Sequence, residues 1–138
     1  MHDLPRQLTV DELAELFSGR TRLVERLAQV EDPLGRAEQV IAAAPEEEQV
    51  EALAAHPRIG EPSAEQRGAE PEVLSELAYL NQVYEEKFGF RFVVFVAGRT
   101  RAEILPILQE RLARTREEEL ETGLSELVAI ARDRWQKR

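Results

Sequence analysis

Apolar residues recur at spacings of three and four along most of the chain, the period of helices with one buried face. Thr9-Val10-Asp11-Glu12 has capping-box spacing. Leu13, Leu16 and Phe17 follow it and predict a helix over 10–18 that Gly19 ends. Leu23, Val24 and Leu27 predict a second helix, ending near Val30. Asp32-Pro33, a cap followed by proline at the first helical position, predicts the start of a third, carried to Ala44 by Leu34, Ala37, Val40 and Ile41. Pro45 opens a fourth, with Glu46, Glu47 and Glu48 in the favourable first turn and Val50, Leu53 and Ala54 on its apolar face.

After a turn-rich stretch, Pro71 begins a long helix with Val73, Leu74, Leu77, Leu80, Val83 and Tyr84 in register, closed by Gly89. Thr100-Arg101-Ala102-Glu103 is a second capping box. The helix after it carries Ile104, Leu105, Leu108 and Leu112, and Pro106 is expected to bend it. A last helix is expected from about Arg116 to Trp135. The helical period fails only over 90–97, where aromatic and β-branched residues favour extended chain. One extended segment makes no sheet, so it reads as a buried connector. The expected fold is all-α: a single domain over 1–138, a bundle of about seven helices with one extended connector.

Composition narrows the function. The chain is 43% apolar, enough for a core, yet its longest apolar run, 92–97, is far too short to cross a bilayer. The first residues hold no apolar signal core, so a cytoplasmic protein is expected. With no cysteine, thiol chemistry and cysteine-ligated metals are excluded, and two histidines, His2 and His56, make no His-rich metal site. The net charge of −9 comes without a basic patch, which argues against nucleic acid as a partner. No cofactor, metal or membrane partner is expected. Arginine far outnumbers lysine, which fits heat adaptation and codon bias equally.

Three positions can carry chemistry. His56 precedes Pro57, so the fourth helix should stop there. A helix C-terminus favours a protonated imidazole, and a histidine titrating near neutral pH suits proton transfer. The plainer reading is a partly buried helix terminator. Ser63 can cap a short helix holding Glu65 and Gln66, across a turn from His56 and within reach as an orienting partner; alternatively Glu65 is a solvated surface residue. The stripe Leu120, Leu124, Leu127, Ala131 steps next onto Arg134. A charge there needs a partner or a ligand, and a guanidinium fork suits a carboxylate. Snorkelling at the helix end is the alternative. The string over 84–92 is either core or a pocket wall whose backbone faces a flat polar ring.

Together, Ala55-His56-Pro57-Arg58-Ile59-Gly60, the Glu65-Gln66 pair, Leu80-Asn81-x-x-Tyr84-x-x-Lys87-Phe88-Gly89-Phe90-x-Phe92, Ile104-Leu105 and Glu110-Arg111-Leu112 resemble 2-oxo-4-hydroxy-4-carboxy-5-ureidoimidazoline (OHCU) decarboxylase. The resemblance implies a carboxy-lyase of uric acid breakdown that yields S-allantoin without a cofactor, in a cytoplasmic homodimer. It implies His56 as the catalytic histidine, with Glu65 and Arg134 in the catalytic set. Pro57, Ser63, Gln66, Phe92, Val93, Val94, Phe95 and Val96 are then the substrate contacts.

The chain departs from that pattern in four places. The stretch between His-Pro and Glu-Gln is shorter, the family's serine position holds Pro62 with Ser63 one place later, Arg114 stands where an asparagine is usual, and the aromatic-rich entry of the early helices is missing. A non-catalytic helical interaction domain, or a relative whose trimmed loop 58–63 changes the substrate, are the rival expectations.

Overall fold

Seven α-helices make up the regular structure of residues 7–59 and 71–138, the part described by the computed structural model, and no strand occurs among these residues. They are α1 (Val10–Leu16), α2 (Arg22–Leu27), α3 (Ala37–Ala43), α4 (Glu46–Ala54), α5 (Pro71–Phe88), α6 (Arg101–Leu112) and α7 (Arg116–Gln136). Three begin with complete capping boxes, Thr9 with Glu12, Thr100 with Glu103 and Thr115 with Glu118, each satisfying two backbone N–H groups that a helix start leaves open. α5 ends at Gly89, whose φ of 80° is the left-handed conformation that a glycine adopts without penalty.

Two expectations on helix limits are corrected. The second helix stops at Leu27, short of Val30. The third begins at Ala37 and not at Pro33. Asp32 turns left-handed at φ 50°, and its carboxylate accepts from the Gly35 N–H at 3.2 Å. Asp32 thus closes a turn instead of capping a helix, a use of aspartate that competes with capping. α6 runs on through Pro106 as one helix.

A single apolar cluster draws on all seven helices. α7 is its axis and packs against α1, α3 and α4, while α5 and α6 pair with each other. One of the fully buried side chains beside the cluster is charged. Glu119 accepts from Tyr84 Oη at 2.7 Å, from Arg111 Nε at 2.7 Å and from Arg114 Nη1 at 2.9 Å. Arg114, the departure from the family pattern, therefore fills the second carboxylate oxygen. Burial, and then the bond to Glu119, pushes the Tyr84 phenol well above its usual range.

The connector belongs to no helix or strand over 91–96 and turns left-handed at Ala97 (φ 51°), and side chains replace the missing sheet partner. Arg111 Nη1 donates to the Val93 carbonyl at 2.8 Å. The Phe95 N–H donates to Glu126 at 3.3 Å, and Arg99 donates to the carbonyls of Phe95 and Val96. Phe90 and Phe92 turn inward onto Tyr84, with ring centroids 6.0 and 5.2 Å away. Arg111 lies 4.5 Å from the centre of the Phe92 ring. The expected buried connector is present, held chiefly by arginines.

Candidate functional site

α4 ends where expected, and His56 follows its cap residue Ala55. The turn carrying the histidine is fastened to α5. Arg58 makes a two-pronged pair with Glu85 at 2.7 and 3.0 Å, and Asn81 Nδ2 donates to the Ile59 carbonyl at 3.0 Å. Arg91 Nη1 donates to the carbonyls of Ala54 at 2.7 Å and His56 at 2.6 Å. The conspicuous strings of the sequence thus have one mechanical purpose: α5 and the connector fix the backbone on either side of His56.

The imidazole is only 4% exposed. Its Nδ1 lies 3.4 Å from Ser18 Oγ, at the end of α1. Its Nε2 is buried with no hydrogen-bond partner among the described residues. Burial, with the nearby guanidinium charges of Arg134 and Arg91, lowers the His56 pKa from 6.5 to about 4. This corrects the expectation of a protonated, near-neutral imidazole. The helix end that was to favour the cation has its carbonyls taken by Arg91, which adds positive charge instead. His56 is a neutral imidazole at pH 7.

Arg134 reaches the same point from α7. Its Nη1 donates to Ser18 Oγ at 2.8 Å, to the Leu16 carbonyl at 3.0 Å and to the Glu15 carbonyl at 3.3 Å. A charge on the apolar stripe of α7 calls for a partner or a ligand. The partner is the open carbonyl end of α1, a favourable seat for a cation.

His56 and Arg134 face one cavity of about 930 Å³. Its walls include Pro57, Ile59, the whole run 92–99, Ile130, Asp133 and Lys137. Phe92, Val93, Val94, Phe95 and Val96, expected as substrate contacts, all line it. Lys137 Nζ lies 3.0 Å from Asp133. Arg99, Arg134 and Lys137 outnumber that carboxylate, so the described walls favour an anion although the whole protein is acidic. Ser63, Glu65 and Gln66 lie outside the described residues. Among the described residues, no group of three or more His, Asp or Glu side chains is placed to hold a metal ion. No described helix is long and apolar enough to cross a membrane.

Sequence reasoning missed Ser18, Arg91 and Arg99 as parts of this site. Arg91 stands inside the aromatic string and was legible as a charge in a core segment. Ser18 carries no local signal beyond ending a helix.

The family model for OHCU decarboxylase matches residues 2–136. The chain belongs to the OHCU decarboxylase family. It is 29% identical over 140 residues to a 2-oxo-4-hydroxy-4-carboxy-5-ureidoimidazoline decarboxylase of Haloferax volcanii, covering 88% of this chain and 83% of the relative. It is 29% identical over 152 residues to the uric acid degradation bifunctional protein PucL of Bacillus subtilis. That match takes in 97% of this chain but only 31% of the larger protein. Among solved structures, an OHCU decarboxylase crystallised in the presence of (S)-allantoin is similar with a TM-score of 0.79 at 28% identity, covering 91% of this chain and 96% of that one. A structure of (S)-allantoin synthase, at 21% identity and a TM-score of 0.73, shares the fold. The family's all-helical architecture is therefore the one seen here.

Proposed function

We propose that this protein decarboxylates 2-oxo-4-hydroxy-4-carboxy-5-ureidoimidazoline to S-allantoin in uric acid breakdown. The observation that carries the reading is the convergence of a buried, neutral His56 and the cationic Arg134 on one cavity, in a chain of this family.

The chemistry suits such a site. The substrate's carboxylate sits on a carbon beside a C=N bond. When that C–C bond breaks and CO₂ leaves, the electron pair moves into the imine, so the substrate serves as its own electron sink. The protein is left with three tasks: orient the carboxylate, balance the charge and deliver a proton to one face. Arg134, half-buried against Ser18, has a guanidinium edge for an anionic group. Phe92, Val94 and Ile130 add apolar wall beside the reacting carbon. His56, neutral at pH 7, takes the acid–base role. Glu65, Gln66 and Ser63 join the reading by resemblance, Glu65 as orienting partner of the imidazole. Pro57 and the backbone of 92–96 hold the flat ring.

Assembly as a homodimer and a cytoplasmic location belong to the same reading, and light scattering at micromolar protein and cell fractionation check them. The function itself is tested by adding the protein to substrate freshly made by urate oxidation and following circular dichroism. S-allantoin accumulating faster than the spontaneous reaction supports it; decay at the spontaneous rate to racemic product overturns it.

A further inference from the structure

Ser18 stands just past the cap of α1 with φ 66°, in the left-handed region that L side chains rarely adopt and glycine enters freely. A hydroxyl is nevertheless kept there, between two groups of the cavity. Arg134 Nη1 donates to its oxygen at 2.8 Å, and His56 Nδ1 lies 3.4 Å away on the other side.

The direction of this chain of bonds follows from what each group can do. A guanidinium has only donors, so Ser18 Oγ accepts from Arg134. The hydroxyl proton, repelled by the guanidinium, then turns from Arg134 toward Nδ1, its other neighbour among the described residues. With the hydroxyl proton turned toward it, Nδ1 accepts; the opposite arrangement, an Nδ1–H donating into the second lone pair of Ser18 Oγ, is the outcome that the tautomer measurement tells apart. A neutral imidazole whose Nδ1 accepts carries its proton on Nε2. Nε2 is the buried nitrogen without a partner among the described residues, on a side chain that lines the cavity.

We propose that Ser18 is a positioning residue: its hydroxyl, oriented by Arg134, holds His56 in the Nε2–H tautomer and so presents a proton to the ligand in the cavity. In its kinetic consequence this rests on the decarboxylase reading, where the Nε2–H of His56 would donate a hydrogen bond to the substrate as charge develops there; the tautomer itself does not depend on it. A second effect follows. Arg134 and His56 act through one hydroxyl, so a ligand that pulls Arg134 into the cavity also alters the bond to the imidazole.

The test is long-range proton–nitrogen NMR on uniformly labelled protein at pH 7, with His2→Gln leaving His56 as the one histidine signal. The wild-type ring is expected to show a protonated Nε2 and an unprotonated Nδ1. Ser18→Gly suits the left-handed backbone and removes the hydroxymethyl group that carries the bond, so it should fold as the parent does and show a mixture of tautomers. Its kcat for the ureidoimidazoline should fall on the order of tenfold with little change in KM. A wild-type ring protonated at Nδ1 would overturn the proposal. So would a Ser18→Gly ring with the parent's tautomer, or a shifted tautomer with unchanged kcat. A wild-type protein that does not turn over the substrate would sink the decarboxylase reading and leave the tautomer result standing.

Discussion

The guanidinium of Arg91 donates to the main-chain carbonyl of His56 at 2.6 Å, so the connector between α5 and α6 grips the residue it helps to surround. The same nitrogen holds Ala54, and the pair closes the C-terminal end of α4. Arg91→Met should cost about 1–3 kcal/mol by leaving two carbonyls without their charged donor. It also removes a positive neighbour, so the His56 pKa should rise from about 4 toward 6.5. Chemical denaturation and an NMR titration of His56 read the two effects; an unmoved titration would show that Arg91 has no electrostatic hold on the ring.

His56 also predicts how stability depends on pH. Its folded pKa of about 4 lies below its unpaired value of 6.5. Above pH 6.5 the ring is neutral in both states and its contribution is complete. Between 6.5 and 4 the unfolded chain binds a proton that the folded protein does not, so stability falls with pH; below 4 the loss levels off. The total is about 3 kcal/mol. Glu38, Glu103 and Glu118 are held below 4.5 and act lower on the scale. Urea melts from pH 7 to 4 should show this slope, and His56→Gln should flatten it.

Arg134 and Arg132 are neighbours on α7 with separate duties. Arg132 ties α7 to α3 by donating to the Leu34 carbonyl at 3.0 and 2.6 Å and to Glu38 at 2.9 and 2.7 Å. Arg132→Lys should lower stability by up to about 1 kcal/mol and leave turnover unchanged. Arg134→Lys keeps the charge but loses the fork, and turnover should drop on the order of tenfold or more, for one charged hydrogen bond of roughly 1.5–3 kcal/mol. Equal steady-state behaviour of the two variants would contradict the placing of Arg134 in the site.

Glu119 is the most exacting buried group. Glu119→Ala leaves Arg111 buried without its carboxylate and loosens the Val93 carbonyl at the cavity wall. A loss of about 3–5 kcal/mol is expected in thermal or urea unfolding. Tyr84→Phe removes one bond to the same carboxylate and should cost about 1–1.5 kcal/mol. Similar costs for the two variants would mean that the buried ion pair contributes little.

Local signals carried much of this structure. Capping threonines, the apolar period and Gly89 mark helix ends because each acts within one turn of chain. Asp32 misled because the same carboxylate can cap a helix or close a turn, and only the packing of Leu34 and Ala37 decides. At the site, His56 and Arg134 stood out from helix ends and stripes, but the charge state of His56 did not. It depends first on burial by distant parts of the chain and then on Arg134 and Arg91, 78 and 35 positions away. Ser18 could not be found at all from sequence, since its bonds to His56 and Arg134 span 38 and 116 positions.

The central claim is that His56 drives decarboxylation. The direct measurement mixes freshly generated ureidoimidazoline with wild-type protein and with His56→Ala, confirmed to be folded, and records circular dichroism of the product against time. Rapid, optically pure S-allantoin is expected from the wild type and only the spontaneous, racemic course with His56→Ala. Near-full rate and stereochemical purity in the variant would contradict it.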